Sequence, residues 1–600
     1  MTHFVLFAQN NEKEKLAAQY FAEKQYDKAA DIYENLLQNK PESVYYYDNL
    51  LQCYIFLKDF KSAEKLVEKR KKRFSNDAIY GIDLAYLQGI QNNIAKRDAL
   101  LNDILNTKIN SIEMAENIAN GYLKRGFTDY AIQEYINARK QLNQGALFVF
   151  ELSQLYFSQN KRKEAILELV SIVNENEFIL QEVKNKFSSA LKTKEDFSLL
   201  TSSTLNQLQK SPQSLPLNDL LIWSLVQQKD WELAIIQSKA IDKRFKEDGL
   251  WLINLAHVLI TNQEYTHAIT CYQTIKEFGS EKRYYYQAQQ GILHCGMLQI
   301  KSGKFSSIIQ LRSLESEYIN FINMNGINWH TATQIKELAE IYIYHLHEEK
   351  KGITWLETAI NTQGVNHRLI AECKLDLGDA YLIGGDSWEA DLLYKQVEKD
   401  FNNDALGQEA KFRYSRLCYF RGEFEWAQTQ LDVLKEATTQ LISNNAMRLW
   451  LLIQDNIGMD TTYEALAVYA QADLLIFQNK LDRALEVLEN LSIAFPANSL
   501  EDDIYFSKAV ILESKGQFKD AEIFYSKVIK DFSFDILADN ALINLAKMYE
   551  FKMNDTAKAK QMYEFLILNY TGSLFINEAR QRYRFLRGDL KNNTIENYWD

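Results

Sequence analysis

The chain has 600 residues and a formal net charge of −12, with 68 Lys and Arg against 80 Asp and Glu. That length is too great for a single hydrophobic core, so we expect several domains or an elongated stack of repeats. The acidic balance argues against a general nucleic-acid binder, because neutralising phosphates requires an excess of basic side chains.

The N-terminus begins with a short apolar run at residues 4–9, which is followed at once by the charged residues 11–15. The run resembles the last part of a secretory signal peptide cut after Ala8, although it lacks a basic start and a full-length apolar region. A frayed helix end is the alternative. No later stretch holds the roughly 20 apolar residues of a membrane-spanning helix, so we expect no transmembrane segment.

Two amphipathic helices with small residues at their crossing are predicted next. Ala17 is followed by Tyr20 on the first helix, and Ala29 by Tyr33 on the second, before Pro41 ends the pair. Small residues let the two backbones approach closely, while the tyrosines fill the grooves beside them. This pattern resembles the tetratricopeptide repeat, a family of helical hairpins that stack into a superhelix.

The small residue then recurs at a nearly constant spacing. Ala63 follows Ala29 by 34 residues, and Ala131 follows Ala63 by 68, which predicts a hidden repeat with Arg97 in the alanine position. The residues predicted to pack at these crossings are Ala17, Ala29, Ala63, Ala131, Ala165, Ala234, Ala268, Gly378, Ala390, Ala427, Ala484, Ala521 and Ala559.

The spacing changes in the second half of the chain. From Ala390 onward the alanines are separated by 37, 57, 37 and 38 residues, and we expect the added residues in the loops between repeats. The predicted divisions are a possible signal remnant (1–10), a first superhelix with a 34-residue period (11–280), degenerate helical repeats (281–365), a second superhelix with a 37-residue period (366–588) and a tail (589–600).

The loops of residues 480–588 carry a narrower resemblance. The pattern in these loops is an aromatic residue, then Ser or Asp, and then an acidic residue before Ala, as from Tyr570 to Ala579. This pattern is similar to the loops of tetratricopeptide repeat (TPR) proteins of the Gram-negative envelope. These are the lipoprotein of the outer-membrane β-barrel assembly machinery and the TolA-binding coordinator. The resemblance implies a periplasmic location, although this chain has no lipobox and is far longer than the lipoprotein.

Sequence motifs for nucleotide binding, zinc proteolysis and serine hydrolysis are not found, so we expect no catalysis, cofactor or metal. His345 and His347 lie two residues apart on a predicted helix and therefore point to different faces. An enzyme site in the irregular segment 280–365 stays an alternative; its candidate residues are Trp329, His330, His345, His347 and Trp355.

Two further patterns are candidate binding sites. The basic run 69–73 indicates either an anionic-partner patch or a solvated helix C-terminus, where cations complement the helix dipole. A carboxylate clamp of the kind that holds chaperone tails would use Asn120, but Glu116 and Glu151 occupy neighbouring clamp positions and would repel a carboxylate.

The sequence thus predicts an all-α superhelix of about 14 to 15 helix pairs that binds other proteins and no nucleic acid. A partner peptide or helix is expected on the concave face, which the first helix of each pair lines. Candidate contacts are Asn120, His257, Tyr286 and Lys508. A scaffold in the bacterial envelope is the leading hypothesis, and a cytoplasmic adaptor is its alternative.

Overall fold

The computed structural model describes residues 2–74, 77–174, 177–303, 307–402, 404–435, 439–456 and 463–589. These residues form 32 α-helices and no strand, so the all-α prediction is confirmed. No helix in these ranges is long and apolar enough to cross a membrane. The side chains of the predicted signal remnant and the predicted tail beyond Asp589 lie outside the described residues.

The chain divides into two compact units, residues 1–255 and 256–600. The helices of the first unit are α1 (Thr2–Ala22), α2 (Tyr26–Asn39), α3 (Val44–Phe56), α4 (Phe60–Arg73), α5 (Ile79–Ile90), α6 (Ile94–Leu105), α7 (Ile112–Lys124), α8 (Thr128–Leu142), α9 (Val149–Ser158), α10 (Arg162–Val173), α11 (Leu180–Ala190), α12 (Lys194–Lys210), α13 (Leu215–Gln227) and α14 (Trp231–Phe245). Helix α15 (Leu250–Thr261) contains the boundary.

The second unit continues in the same style. Its helices are α16 (Tyr265–Lys276), α17 (Tyr285–Lys301), α18 (Ile308–Asn325), α19 (Ala332–Glu340), α20 (Glu349–Asn361), α21 (His367–Gly384), α22 (Ser387–Asp400), α23 (Ala405–Phe420), α24 (Phe424–Leu434), α25 (Gln440–Asp455), α26 (Glu464–Phe477), α27 (Leu481–Ala494), α28 (Glu501–Ser514), α29 (Phe518–Asp531), α30 (Leu537–Lys547), α31 (Thr556–Asn569) and α32 (Ile576–Arg587).

Successive helices pack as hairpins, each with a first and a second helix. The first unit holds seven hairpins, from α1/α2 to α13/α14. The second unit holds seven more, from α17/α18 to α23/α24 and from α26/α27 to α30/α31. Helices α15, α16, α25 and α32 stand outside these pairs. Within each unit the hairpins bury their apolar side chains against their neighbours along the chain.

One position recurs in most second helices, α16 included: the fourth residue of the helix. It is alanine in eleven second helices, and each of these alanines is fully buried. Ala17 on α1 is likewise fully buried, and a Cβ on Gly378 of α21 would lie 2.5 Å from the ring of Tyr394. Small side chains at these points allow the close approach of two helix backbones.

Two of the second helices that lack alanine at the fourth position have a glycine at the crossing instead. Arg97 is the fourth residue of α6, and a Cβ on Gly89 of the preceding helix would lie 3.1 Å from its Cδ. On α20 the fourth residue is Gly352, where a Cβ would lie 2.3 Å from Ile343. The crossing therefore tolerates a large side chain on one helix when the other carries almost none.

The added residues of the second half lie partly in the loops, where they are predicted, and partly in the first helices. Between Ala484 and Ala521 the loop 495–500 is two residues longer than the loop 40–43, and α28 has 14 residues where α3 has 13. Between Ala390 and Ala427 the loop 401–404 is no longer than 40–43, and the first helix α23 has 16 residues. The 57-residue spacing between Ala427 and Ala484 contains the extra helix α25.

Two first helices of the second unit end in a π-helical turn, at Ile341–His345 after α19 and at Met548–Lys552 after α30. The turns share one arrangement. Tyr342 and Tyr549, the second residue of each, donate to carboxylates of the preceding second helix, on Glu315 and Glu522. A π-helical turn accommodates an extra residue in a helix, which fits the 38-residue spacing between Ala521 and Ala559.

The close approach predicts a contrast between two alanines of α31. Ala559 is buried at the crossing, while Ala557 on the same helix is exposed. We expect Ala559→Leu to lower the free energy of unfolding by about 1–3 kcal/mol, because the added atoms force the backbones apart. Ala557→Leu serves as the control and should change it by less than about 0.5 kcal/mol. Urea unfolding followed by circular dichroism measures both, and equal effects would contradict the crossing geometry.

A buried carboxyl in the first unit carries an energetic cost. Glu134 on α8 is 1% exposed, and neither of its carboxylate oxygens has a hydrogen-bond partner among the described residues. Burial raises the pKa of Glu134 to about 7. The folded chain therefore holds this proton more tightly than the unfolded chain, and the stability that this preference supplies is lost as the pH rises from about 4.5 to about 7.

Removing that titration should stabilise the chain increasingly as the pH rises from about 4.5 to about 7. We expect Glu134→Gln to raise the free energy of unfolding by about 1–3 kcal/mol at pH 8 and to change it little at pH 5. Thermal unfolding at the two pH values measures the difference. The exposed Glu116→Gln is the control, and a Glu134→Gln effect that does not depend on pH would show that the carboxyl ionises normally in the folded chain.

Candidate functional site

The first helices of the second unit contact one another as well as their own hairpin partners, as α19 does α21 and α28 does α30. Their polar side chains form a continuous set, which we call the first-helix face. It comprises Lys336, Glu340, Asp376, Asp379, Arg413, Arg416, Asp473, Asp502 and Asp503.

Asp379 on α21 is the centre of the upstream part of this face. It accepts hydrogen bonds from the hydroxyls of Tyr394 at 2.6 Å and Tyr344 at 3.0 Å. The guanidinium of Arg413 on α23 donates to it at 2.9 Å, and that of Arg416 at 3.3 Å. Burial, reinforced by the charges of Asp379 and others, raises the pKa of both tyrosines well above the usual value, so both act as hydrogen-bond donors.

A second carboxylate links this centre to the preceding repeat. Asp376 pairs with Lys336 of α19 at 3.1 Å and with Arg413 at 3.3 Å. Lys336 also pairs with Glu340. Burial alone would lower the pKa of Lys336, but the charges of Asp376 and Glu340 outweigh it and raise the pKa, so the amine stays protonated. Each charge in this part of the face has a partner, as half-buried ions require.

The downstream part of the face is different, because its acidic groups outnumber its basic ones. Asp473 on α26 accepts a hydrogen bond from Tyr419 at 3.0 Å, and burial raises its pKa to about 6. Asp502 and Asp503 lie in the first turn of α28. Burial and the charges of Asp502 and Asp473 raise the pKa of Asp503 well above its usual value. We call these three aspartates the acidic cluster.

The arrangement around Asp379 recurs at two other carboxylates. Asp83 on α5 accepts from Tyr47 at 2.7 Å and from Arg125 at 2.6 Å, and the side chains of this ion pair are 1% and 3% exposed. At the other end of the chain Glu550 accepts from Tyr563 at 2.8 Å and from Arg582. Arg125 directly follows α7, and Arg582 lies on α32, so each carboxylate ties its hairpin to the next one or, for Glu550, to the last helix.

The structure places the four candidate contact residues in different surroundings. Asn120 on α7 and His257 on α15 are exposed. Tyr286 is half-buried, and its hydroxyl donates to the backbone oxygen of His330 at 3.3 Å. Lys508 is only 4% exposed and pairs with Glu489 of α27, so it serves internal packing. A role in binding stays a prediction for all four.

The irregular segment 280–365 folds as two helical hairpins, α17/α18 and α19/α20. Trp329 and His330 stack on each other in the loop before α19, with ring centroids 3.3 Å apart. His345 ends the π-helical turn, and burial lowers its pKa. Trp355 on α20 packs against the hydrophobic core that helices α17 to α21 share. Within the described residues, no group of three or more metal-binding side chains is close enough to hold an ion.

The basic run at the end of α4 is divided between two roles. Arg70 is 4% exposed, donates to the backbone oxygen of Ser43 at 3.2 Å and lies over the rings of Tyr47 and Phe74. The four other basic residues of the run are exposed. The middle of the run therefore holds the α3/α4 hairpin together, and only its flanks face solvent.

The upstream network predicts a strong effect of removing Arg413. Arg413→Met leaves two buried carboxylates, Asp376 and Asp379, without the cation that they share, so we expect the free energy of unfolding to fall by about 3 kcal/mol. Urea unfolding followed by circular dichroism measures this change. The control is Arg483→Met on an exposed part of α27. Adding Asp379→Asn to Arg413→Met should recover part of the loss, and no recovery would contradict the electrostatic explanation.

Comparison with known proteins identifies the repeat. A tetratricopeptide repeat model matches residues 20–81, and a second model of the same description matches residues 469–536. No curated protein matches the chain significantly.

Several solved structures are similar to the chain at low identity. In the structure of Naa15/Naa10 bound to HypK-THB, a chain is 12% identical, with 97% of this chain and 100% of that chain covered and a TM-score of 0.29. A tetratricopeptide repeat protein from Parabacteroides merdae is 13% identical, with 47% and 92% covered and a TM-score of 0.28. Yeast Tom70 is 12% identical, with 97% and 99% covered and a TM-score of 0.25. These scores are too low to support an argument about function.

The two family matches establish that the chain carries tetratricopeptide repeats in residues 20–81 and 469–536.

Proposed function

We propose that this chain is a non-catalytic scaffold that binds a segment of another protein on the side chains of its first helices. The observation that carries the proposal is the first-helix face, where charged side chains of successive repeats lie side by side on a hydrogen-bonded support. Tetratricopeptide repeats are typically protein-interaction modules, and stacked helical hairpins present a long surface suited to an extended peptide or a helix.

We further propose that the scaffold works in the bacterial envelope. The support is the similarity of the loops in residues 480–588 to envelope TPR proteins, together with the apolar run at residues 4–9. A cytoplasmic adaptor is the alternative, and it predicts the same binding surface in a different compartment.

One experiment addresses both the surface and the compartment. A photo-crosslinking amino acid is placed at Thr333 on α19 or Gln471 on α26, exposed positions on first helices that carry the first-helix face, in the full chain expressed in its native cells. After irradiation the cells are fractionated, and covalent adducts are detected by immunoblotting and mass spectrometry. We expect adducts of discrete mass, recovered in the periplasmic or envelope fraction.

The same amino acid at Gln133, an exposed position on the second helix α8, is the matched control and should give no such adduct. Adducts from Gln133 alone would contradict binding on the first helices. Adducts confined to the cytoplasmic fraction would support the adaptor alternative and contradict the envelope location.

A further inference from the structure

The acidic cluster is the part of the first-helix face that the internal network leaves without cations. Among the described residues, none of Asp473, Asp502 and Asp503 has an ion pair with a lysine or arginine. Arg448 on α25 acts on Asp473 and Asp503 only as a more distant charge, and so does Arg416 on Asp473, since its ion pair is with Asp379. All three aspartates remain partly open to solvent, so a ligand can reach them.

A neighbouring amide gives an independent sign of a missing ligand. Asn456 caps the C-terminus of α25 and is 6% exposed. Its Nδ2 donates to the backbone oxygen of Leu452 at 2.9 Å, and its side chain also lies within hydrogen-bonding reach of Asp503. Its Oδ1 is buried and has no hydrogen-bond partner in the described part of the chain. A buried acceptor beside a carboxylate is a costly arrangement unless a donor arrives from outside.

The surroundings favour an organic cation over a metal ion. No group of described carboxylates here is arranged closely enough to hold a metal. Tyr469 and Ser507 hydrogen-bond to each other at 2.9 Å beside the cluster and supply a polar wall. An ammonium or guanidinium group carries several N–H donors, which suit a set of separated carboxylates together with an amide oxygen.

The position of two aspartates at a helix N-terminus does not by itself explain the cluster. Acidic residues in a first turn are stabilised by the helix dipole, which lowers their pKa. Here the pKa of Asp502 and Asp503 is raised, because burial and, for Asp503, the charges of Asp502 and Asp473 outweigh that effect. The carboxylates are therefore held together at a cost that a bound cation would relieve.

We infer that the acidic cluster, with Asn456, is a subsite for a lysine or arginine side chain on the segment of the partner protein. This inference rests on the proposed function and adds the chemistry of the ligand: a basic residue presented by a peptide that lies along α26 and α28. Upstream on the same face the charges are already paired, so specificity for a cation is concentrated at this one point.

The test uses peptides selected without assuming a sequence. Random 12-residue peptides displayed on phage are selected on the full chain, and the enriched peptides are synthesised with a fluorescent label. Their affinities are measured by fluorescence anisotropy for the unmodified chain and for D473N/D502N/D503N. We expect enriched peptides with a shared Lys or Arg, an affinity about tenfold or more weaker for the triple variant, and the same loss when that basic residue is replaced by Gln.

The matched control D400N/E425Q/D520N removes the same charge from exposed positions on the second helices α22, α24 and α29. It should leave the affinity within about twofold. The isosteric Asp-to-Asn changes relieve repulsion between the carboxylates, and circular dichroism checks that the variants fold. Asp502→Lys, at the rim of the cluster, is a second variant, and it should block binding equally.

The outcomes separate the two proposals. Basic peptides that are weakened equally by the control variant would show non-specific attraction and overturn the subsite. Enriched peptides that lack a required basic residue and bind the triple variant unchanged would also overturn it, while a scaffold function would stand. If no peptide is enriched, both proposals fail.

Discussion

Close approach of two helix backbones at the fourth residue of each second helix is the constraint on which the whole chain depends. Eleven fully buried alanines occupy that position. Where Arg97 replaces alanine, Gly89 on the facing helix makes room for its side chain. What the fold requires is therefore a small combined volume at the crossing, and alanine is the usual way to provide it. A stack built in this way brings consecutive first helices side by side, which is how the first-helix face arises.

Much of this register could be predicted from sequence, because a recurring alanine is visible without a structure. The failures have physical causes. Gly352 was missed because the small residue there is glycine, and Phe197 on α12 was missed because it is large. A spacing between alanines counts residues but does not say which element holds them, so the longer first helix α23 and the extra helix α25 could not be told from longer loops.

The candidate site was harder to predict, because periodicity shows where side chains point but not what they meet. The exposure of Asn120 and His257 follows from their helix positions. Lys508 was expected to be accessible, yet its ammonium turns toward Glu489 on the preceding helix. A usable signal did exist in the charges. The pairs Arg413–Asp379, Arg162–Asp196 and Arg368–Asp404 are separated by 34, 34 and 36 residues, about one repeat. Opposite charges at that spacing can be sought in the sequence of any stack of hairpins.

The same spacing explains why the stack offers the acidic cluster no ion-pair partner at close range. In a repeat array a side chain meets its neighbours in sequence and those about one repeat away. One repeat before Asp503 the chain reads Leu466 to Tyr469, and one repeat after it reads Leu537 to Asn540; neither stretch contains a basic residue. One repeat before Asp473, across the extra helix α25, lies Arg416, whose ion pair is with Asp379, and one repeat after Asp473 the only cation is Lys508, which is committed to Glu489. A linear architecture thus leaves some charges to be balanced by something outside the chain, and a partner that supplies the missing cation gains the energy that the fold cannot recover by itself.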